Sequence, residues 1–414
     1  MIRPAPSPRV APGPLLLRDI ADGPSQEAHR NRHGALPRVD LATLVGLVED
    51  AQVRGRGGAG FPLARKLTTA GRSGRRPVVV INAAEGEPAS AKDSALLLRA
   101  PHLVLDGAVL AARALGAREV HVVTASDRPL SATSIDRAVA ERRSSDGIRW
   151  RRVHAAARFV SGQAQAVLDR MAGRTGLPVT AWAPEAVRGH RGRPTLLANA
   201  ETFAHLATLV LRGPQVYAAW GTPVEPGTTL LTIAEPPDRT GAMPAPLVVE
   251  VGYGAPFASA LDEASLGGPV LLGGFHGTWA PPGALTTLPV SRLALGDVGL
   301  TLGAGVVIPL KDRSCPVSLT ALLVRYLASE SAGRCGPCHR GLPTLATEVA
   351  HLAQRRDTRA RIGELVSLVD GRGACAHPDG TARLVRSLLA HLDEEVEDHL
   401  VGGCTCVRSE VMAG

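Results

Sequence analysis

The sequence predicts an α/β protein that passes through a β-rich insert into a C-terminal helical bundle. Three observations carry that reading. Between Asp40 and about Gly213, helical periods alternate with short buried-strand runs. Between Gly227 and Trp279, short β runs dominate, separated by Gly and Pro. From Pro316 onward, apolar residues recur at helical spacing in four successive segments. Alternation of the first kind builds a sheet with helices packed on it. Amphipathic segments joined by short connections build a bundle. At 414 residues the chain is too long for one ordinary core.

In chain order, residues 1–38 are rich in Pro, Arg and Gly and lack periodicity, so they are expected to form a mobile or loosely draped arm. Asp40–Ala51 places Leu41, Leu44, Val45 and Val48 on one helical face, with Asp40 as N-cap. Val78–Ile81 and Glu119–Thr124 read as buried strands. Pro101–Gly116, Ser131–Arg142 (Ser131 as N-cap) and Phe159–Gly173 read as helices. The β-rich insert has strands at Leu230–Ile233, Leu247–Val251 and Val270–Leu272. Four helical faces follow, marked by Leu319 and Leu323, Leu345 and Val349, Ile362 and Val366, and Val385 with Leu388, Leu392 and Val396. The expected boundaries are an arm over 1–39, domains over 40–220, 221–312 and 313–402, and a tail over 403–414.

The composition, 45% hydrophobic and 20% charged, is that of a globular protein. A net charge of +8 with 46 Lys and Arg suits nucleic acid, anionic cofactors or acidic partners alike. Basic patches interleaved with aromatics are not evident and aromatics make up only 3%, so no nucleic-acid partner is expected. Met1–Pro14 is broken by Pro and Arg before an apolar run develops, so no secretory signal is expected. No uncharged apolar run approaches the ~18 residues of a membrane span. The expected place is the cytoplasm, with the inner face of the membrane as a peripheral alternative. Six cysteines in that compartment read as metal ligands or incidental residues rather than disulfides.

Gly55–Lys66, reading GRGGAGFPLARK, has four glycines in six positions. Glycine admits positive φ, and successive N–H groups in such a loop form an anion-binding concavity. Arg56 and Lys66 add positive charge. A structural turn is the plain alternative, as the chain holds 45 glycines. A helix rather than a strand precedes the loop, which disfavours an ordinary dinucleotide fingerprint. Phe61 read alone is a core residue, and Glu85 and Glu87 read alone are a solvated acidic loop.

The longer string decides. The glycine loop, the strand Val78–Asn82 and then Asn82-Ala-Ala-Glu-Gly-Glu-Pro88 resemble the NADH-oxidising, flavin-bearing F subunit of bacterial complex I and its soluble hydrogenase and formate dehydrogenase relatives. The resemblance covers about residues 40–400. It implies an α/β flavin domain, a β-grasp (ubiquitin-like) insert and a C-terminal four-helix bundle. It also implies FMN held by Gly55, Arg56, Gly57, Gly58, Gly60 and Lys66, with Asn82, Glu85, Gly162, Asn199 and Thr202 around it. Phe61, near the nicotinamide of NADH, and Glu87 become the catalytic candidates.

The same resemblance implies an iron–sulfur cluster on the helical domain. In Glu330-Ser-Ala-Gly-Arg-Cys335-Gly-Pro-Cys338-His-Arg-Gly341 the family has three cysteines spaced two apart, with a fourth later, matched by Cys375. Cys335, Cys338 and Cys375 stand in place, but the first ligand position is Ala332. A tight turn aims such thiolates at one centre. The alternatives are several. One is a 4Fe–4S cluster completed by Ser331, His339, His377, Cys404 or Cys406. Others are a 3Fe–4S cluster, zinc on Cys335-x-x-Cys338 with Cys404-x-Cys406, or no metal. Cys315 is expected to pack rather than ligate.

Other departures touch the flavin site. The family's Asn-Ala-Asp-Glu-x-Glu-Pro has Ala84 in place of the aspartate. Its Gly-Glu-Glu-Thr appears as Gly162-Gln163-Ala164-Gln165, and its Asn-Asn-x-Glu-Thr as Ala198-Asn199-Ala200-Glu201-Thr202. A hydrogen bond to a charged group is worth about 1.5–3 kcal/mol, so several such losses weaken binding severely. The expected function is an NADH-oxidising flavoprotein that passes electrons to a ferredoxin-like, thioredoxin-like or membrane redox partner. The alternatives are a degenerate paralogue serving as scaffold or relay, and a zinc-stabilised binding module.

Overall fold

The computed structural model describes residues 2–404 apart from 19, 73, 143–145, 239 and 311–313. The chain enters through a short strand, β1 (Arg9–Val10), and a helix, α1 (Gln26–His33). β1 pairs in parallel with Leu247–Val248 of a later strand. Leu15, Leu16 and Leu17 are buried, and their N–H groups donate to the Glu250 carboxylate at 3.2, 2.8 and 2.9 Å. A Cβ on Gly13 would lie 2.3 Å from Glu250 Oε2, so only glycine lets the backbone wrap that carboxylate. The expected loose arm is therefore a packed segment, anchored by a carboxylate more than 230 residues away in sequence.

The first sheet follows. Asp40 caps α2 (Leu41–Asp50) as expected, accepting from Thr43 N–H at 2.9 Å, and Leu44 and Val48 face inward. After α3 (Leu63–Gly71) come β2 (Val78–Ala83), α4 (Lys92–Arg99), α5 (Pro101–Ala114), β3 (Glu119–Ala125), α6 (Pro129–Arg142) and β4 (Arg149–Ala155). Then come α7 (Ala164–Met171), β5 (Thr195–Asn199), α8 (Ala200–Arg212) and α9 (Pro214–Ala218). The four strands are parallel in the order β4-β3-β2-β5. The chain builds outward from β2 to β4, then returns to the other side of β2. Such a reversal opens a crevice at the carboxyl ends of the two central strands. α5 is buried along most of its length beside α8, and a Cβ on Gly107 would fall 1.9 Å from Phe203 O.

Two local expectations change. Ser131 lies inside α6, which starts at Pro129, rather than capping it; proline's fixed φ suits a first turn. The helix expected over Phe159–Gly173 is broken at Gln163, whose backbone is extended. The cause is tertiary: Gly162 runs so close to Ala84 O that a Cβ there would lie 2.6 Å from it.

The second sheet adds β6 (Thr228–Ile233), β7 (Leu247–Gly252), α10 (Glu263–Gly267), β8 (Val270–Leu272), β9 (Thr278–Ala280), α11 (Arg292–Asp297) and β10 (Val306–Pro309). Its order is β1-β7-β6-β10-β8-β9, with β6 and β10 parallel at its centre. The chain ends in α12 (Pro316–Ser329), α13 (Leu342–Ala353), α14 (Arg359–Val369), α15 (His377–His391) and α16 (Asp393–Val401). The last amphipathic segment is thus two helices, separated where Leu392 leaves helical geometry (φ −131°, ψ 41°). Trp279 of β9 joins sheet to helices: it is fully buried, and its ring N–H donates to Thr320 Oγ1 at 3.0 Å. Among the described residues, no single helix is long and apolar enough to cross a membrane.

Candidate functional site

A cavity of about 650 Å³ occupies the crevice at the ends of β2 and β5. Gly55, Gly57, Gly58, Gly60, Phe61, Lys66, Asn82, Glu85, Glu87, Gly162, Asn199 and Thr202 all line it. Twelve of the thirteen cofactor-binding and catalytic candidates therefore meet around one space. Gly58 and Gly60 have φ of +104° and +62°, so the loop's path requires glycine there. Arg56 N–H donates to Thr202 Oγ1 at 2.9 Å, pinning the loop to α8. Phe61 stands at the rim, 47% exposed.

Arg56 is the exception. Its guanidinium is buried over the Tyr253 ring, 4.8 Å from the centroid, and bonds the Tyr253 hydroxyl. Its guanidinium also bonds Tyr217 and helps hold the Glu201 carboxyl down, so its charge is engaged behind the cavity wall rather than in the cavity. Lys66 lines the cavity, but its Nζ is held by Glu185 Oε1 at 2.7 Å and Leu197 O at 3.0 Å.

The acidic loop divides its work. Glu85 is buried and accepts from Asp93 and Ser94 N–H, from Ser94 Oγ at 2.7 Å and from Ser90 Oγ at 2.8 Å. It caps α4, whose own N-cap residue, Ala91, has no side chain to do so. Glu87 sits in the cavity wall and accepts from Phe275 N–H at 2.9 Å and Ala89 N–H at 3.3 Å. Burial lifts its carboxyl up to about 7; the two amides pull it down, and Glu85 adds to the rise. Asn82 Nδ2 donates to Gly162 O at 2.8 Å, stitching the end of β2 to the turn before α7. Asn199 caps α8 through Oδ1 and donates to Asp93 Oδ2 at 2.6 Å.

Sequence reasoning missed Lys92, which is buried in the cavity wall. Its Nζ bonds Glu201 Oε2 at 2.7 Å, Asn199 Oδ1 at 2.8 Å and Arg56 O at 3.0 Å. Burial disfavours the charged amine, but Asp93 and Glu201 outweigh it and raise its pKa. Burial likewise works to raise Glu201, yet Lys92 holds that carboxyl well below the usual range. Burial pushes Asp93 up to about 7 against the pull of Lys92. The only signal in the sequence was a Lys-Asp pair opening a helix, four residues past the acidic string. His276 and Arg383, from the second sheet and α15, also line the cavity and were not anticipated.

The cysteine turn adjoins this cavity. Cys335 and Cys338 have Sγ atoms 3.4 Å apart, and Cys338 lies on a widened helical turn, Pro337–Gly341, after which Leu342 N–H reaches back five residues to Pro337 O. Such turns are frequent at functional sites. Cys375 lies before α15, half-buried, and its thiol is hydrogen-bonded by the Gln163 side chain. Burial raises the Cys375 and Cys338 thiols, and neighbouring Cys335 adds to both. Gln163 and Ala376 line the cavity, so the two sites share a wall.

Of the substitute ligands considered for Ala332, His339 is exposed, and Ser331 offers its carbonyl to Arg158 at 3.1 Å. His377 is buried with Nε2 on Leu327 O at 2.8 Å. Cys404 lies instead beside Cys315 and His399. Cys406 is outside the described residues.

Residues 48–208 match the family described as Nuo51 FMN-binding domain, and residues 318–399 the NADH-ubiquinone oxidoreductase-F iron-sulfur binding region. The chain is 30% identical to the NADH-quinone oxidoreductase F subunit of Mycobacterium tuberculosis over 388 residues, 87% of this chain and 85% of that one. It is 27% identical to the NADH-quinone oxidoreductase F 2 subunit of Rhizobium meliloti, covering 94% of this chain and 97% of the relative. Among solved structures it resembles an NAD+-reducing NiFe-hydrogenase in the air-oxidised state, with TM-score 0.81 and 26% identity over 96% of this chain. The H2-reduced state of such a hydrogenase gives TM-score 0.76 at 27% identity, and there the chain spans only 63% of the matched hydrogenase chain.

Proposed function

This chain belongs to the family of NADH-quinone oxidoreductase F subunits, and on that premise we propose that it binds FMN and NADH in the β2–β5 crevice and relays electrons through an iron–sulfur group on Cys335, Cys338 and Cys375. The observation that carries this reading is Gln163, which lines the cavity and hydrogen-bonds Cys375. One side chain thus touches both proposed redox sites.

The residues present fit FMN. The cavity lies within the roughly 300–1,000 Å³ usual for small-molecule sites. The left-handed turns at Gly58 and Gly60 suit a backbone cradle for phosphate, and a Cβ on Gly60 would meet open space. Asp93 Oδ1 is buried without a hydrogen-bond partner among the described residues. Three thiols, two of them in contact, fit an iron–sulfur group with three cysteine ligands, since Ala332 offers none.

FMN, when bound, supplies the change from two-electron to one-electron chemistry, and the iron–sulfur group supplies a one-electron carrier. The chain's part is placement. The N–H groups of Gly57–Gly60 and the Lys66 ammonium would hold the phosphate, since the Gly55 and Arg56 N–H groups are taken by Phe61 O and Thr202 Oγ1. Asn82, Asn199 and Thr202 fix the walls, and Phe61 offers an apolar face at the mouth. Glu87, poised near neutrality, holds a proton at its carboxyl without a full charge in the cavity wall.

The finer architecture we propose is a flavin domain over 40–220, a β-grasp domain over 221–312 and a four-helix core within 313–402. The strand order β7-β6-β10-β8-β9, with first and last strands parallel and central, supports the β-grasp assignment. The proposed acceptor is a ferredoxin-like or thioredoxin-like redox protein on the cytoplasmic side, or a membrane redox protein. An acidic face on that partner would suit a chain of charge +8. A second reading, a scaffold that does not turn over NADH, is favoured by Ala84, Gln163, Ala164, Ala198 and Ala332.

One experiment separates them: a visible spectrum of the anaerobically purified protein before and after NADH. Flavin bands that bleach within seconds, over a broad iron–sulfur shoulder, support the oxidoreductase. Protein that stays colourless after reconstitution with FMN, iron and sulfide leaves only the scaffold.

A further inference from the structure

Away from the crevice, three potential metal ligands meet where the helical domain begins and ends. Cys315 caps the start of α12, His399 lies in the last turn of α16, and Cys404 follows that helix. Their ligand atoms all lie within 4.8 Å of one another. Cys315 Sγ is 3.3 Å from His399 Nδ1. Cys315 and His399 are buried, and Cys404 is partly so.

The histidine is set for coordination. Its Nε2 lies 3.1 Å from Ala353 O. A carbonyl only accepts, so Nε2 carries the hydrogen and Nδ1 presents its lone pair to the thiols. Metal-bound histidines are held in this way, with the far nitrogen donating to a backbone carbonyl. Cys315 and His399 share a thiol–imidazole hydrogen bond, and Cys404, packed against the same core, brings a second thiol to that point. Buried cysteines often pack as small apolar residues, yet an imidazole acceptor nitrogen among two thiols gains nothing from packing alone.

We propose that Cys315, His399 and Cys404 hold a structural zinc ion, distinct from the Cys335–Cys338–Cys375 group. Zinc lies about 2.3 Å from thiolate sulfur and about 2.0–2.1 Å from imidazole nitrogen, which places tetrahedral ligand atoms roughly 3.3–3.8 Å apart. The observed spacing approaches that range. Two thiolates and an imidazole suit zinc and give a hard cation such as magnesium no oxygen ligands. Binding releases the two thiol protons, and the ion then ties the end of α16 to the start of α12. The proposal rests on three ligands; Cys406, two positions further on, lies outside the described residues.

The test uses the full chain, purified anaerobically, washed with a weak chelator, and analysed for zinc and iron together. The expected result is one zinc per chain, with an X-ray absorption spectrum showing two sulfurs near about 2.3 Å and nitrogen near about 2.0–2.1 Å. Cys404→Ser should lower zinc retention at least tenfold while iron is unchanged. Cys335→Ser should leave zinc in place. No zinc in the washed wild type, zinc lost with Cys335→Ser instead of Cys404→Ser, or a Cys315–Cys404 disulfide in peptide maps would each overturn it. If Cys404→Ser does not fold, the absorption spectrum of the wild type decides.

Discussion

The crevice and the cysteine turn share a wall at Gln163, yet the chain holds them in different ways. In the crevice most polar side chains have a second duty. Glu85 caps α4, Asn199 caps α8, Thr202 pins the glycine loop, and Glu201 joins Lys92 to Leu230 N–H of β6. Among the described residues, the Cys335 and Cys338 thiols meet only each other and their own loop and bridge no strands, while the Cys375 thiol takes the His377 N–H that opens α15. Residues with two duties are held by the fold whether or not a ligand is bound. Residues with one duty are held by their ligand. Ala332, in a loop where a thiol would serve the cluster alone, belongs to the second kind.

That contrast orders the expected effects of mutation. The largest is for Lys92→Met, which strands the buried Glu201 carboxylate. Breaking a buried pair from one side costs about 3–5 kcal/mol, read as a drop in the midpoint of chemical denaturation. A loss below about 1 kcal/mol would show that the network does not hold the crevice together. Gly162→Ala comes next. Its Cβ would sit 2.6 Å from Ala84 O, and overpacking of this kind costs about 1–3 kcal/mol. Because Gly162 abuts Gln163, FMN affinity should also fall at least tenfold, measured by fluorescence titration.

Glu85→Ala removes the carboxylate that caps α4, for a loss of about 1–2 kcal/mol. Unchanged stability would break the two-duty account at its clearest residue. The Glu87 effect is a slope rather than a drop. Its carboxyl is raised from 4.5 to about 7 in the folded state. Its contribution to stability is therefore full below about pH 4.5 and is lost as pH rises through about 7. Asp93 acts in the same direction, so Glu87→Gln should flatten, not abolish, the fall in stability between about pH 5 and 8. The smallest effect on stability belongs to Cys335→Ser, expected within about 1 kcal/mol of wild type for the metal-free protein. The same change should abolish the iron–sulfur absorption.

Local structure was legible in the sequence where its cause is local. Asp40 and the Leu44–Val48 face are read within one turn of helix, and Val78–Ile81 of β2 is an unbroken apolar run. The glycine string and the acidic string announced the crevice, since their residue types are demanded by backbone geometry and ligand chemistry. What stayed hidden was made by distant partners. Lys92 gains its meaning from Glu201, more than a hundred residues on. The break at Gln163 comes from the Ala84 carbonyl, and Arg56 was drawn off by Tyr253. Cys315, whose own surroundings read as apolar packing, meets His399 and Cys404 only when the helical domain closes.

The Glu250 carboxylate and the leucine amides it gathers also set a timetable. β1 cannot be placed until its partner strand exists, and Arg9 and Leu247 are 238 residues apart (247 − 9). At about 5–20 residues per second, a ribosome needs on the order of 12–48 s to cover that stretch. During that time β1 has no edge to join, and Leu15–Leu17 lack the carboxylate that gathers their amides. A segment made early is thus fastened only when a strand 238 residues later (247 − 9) has been made. An edge awaiting its strand for so long is where a chaperone, or a second nascent copy, has its opportunity.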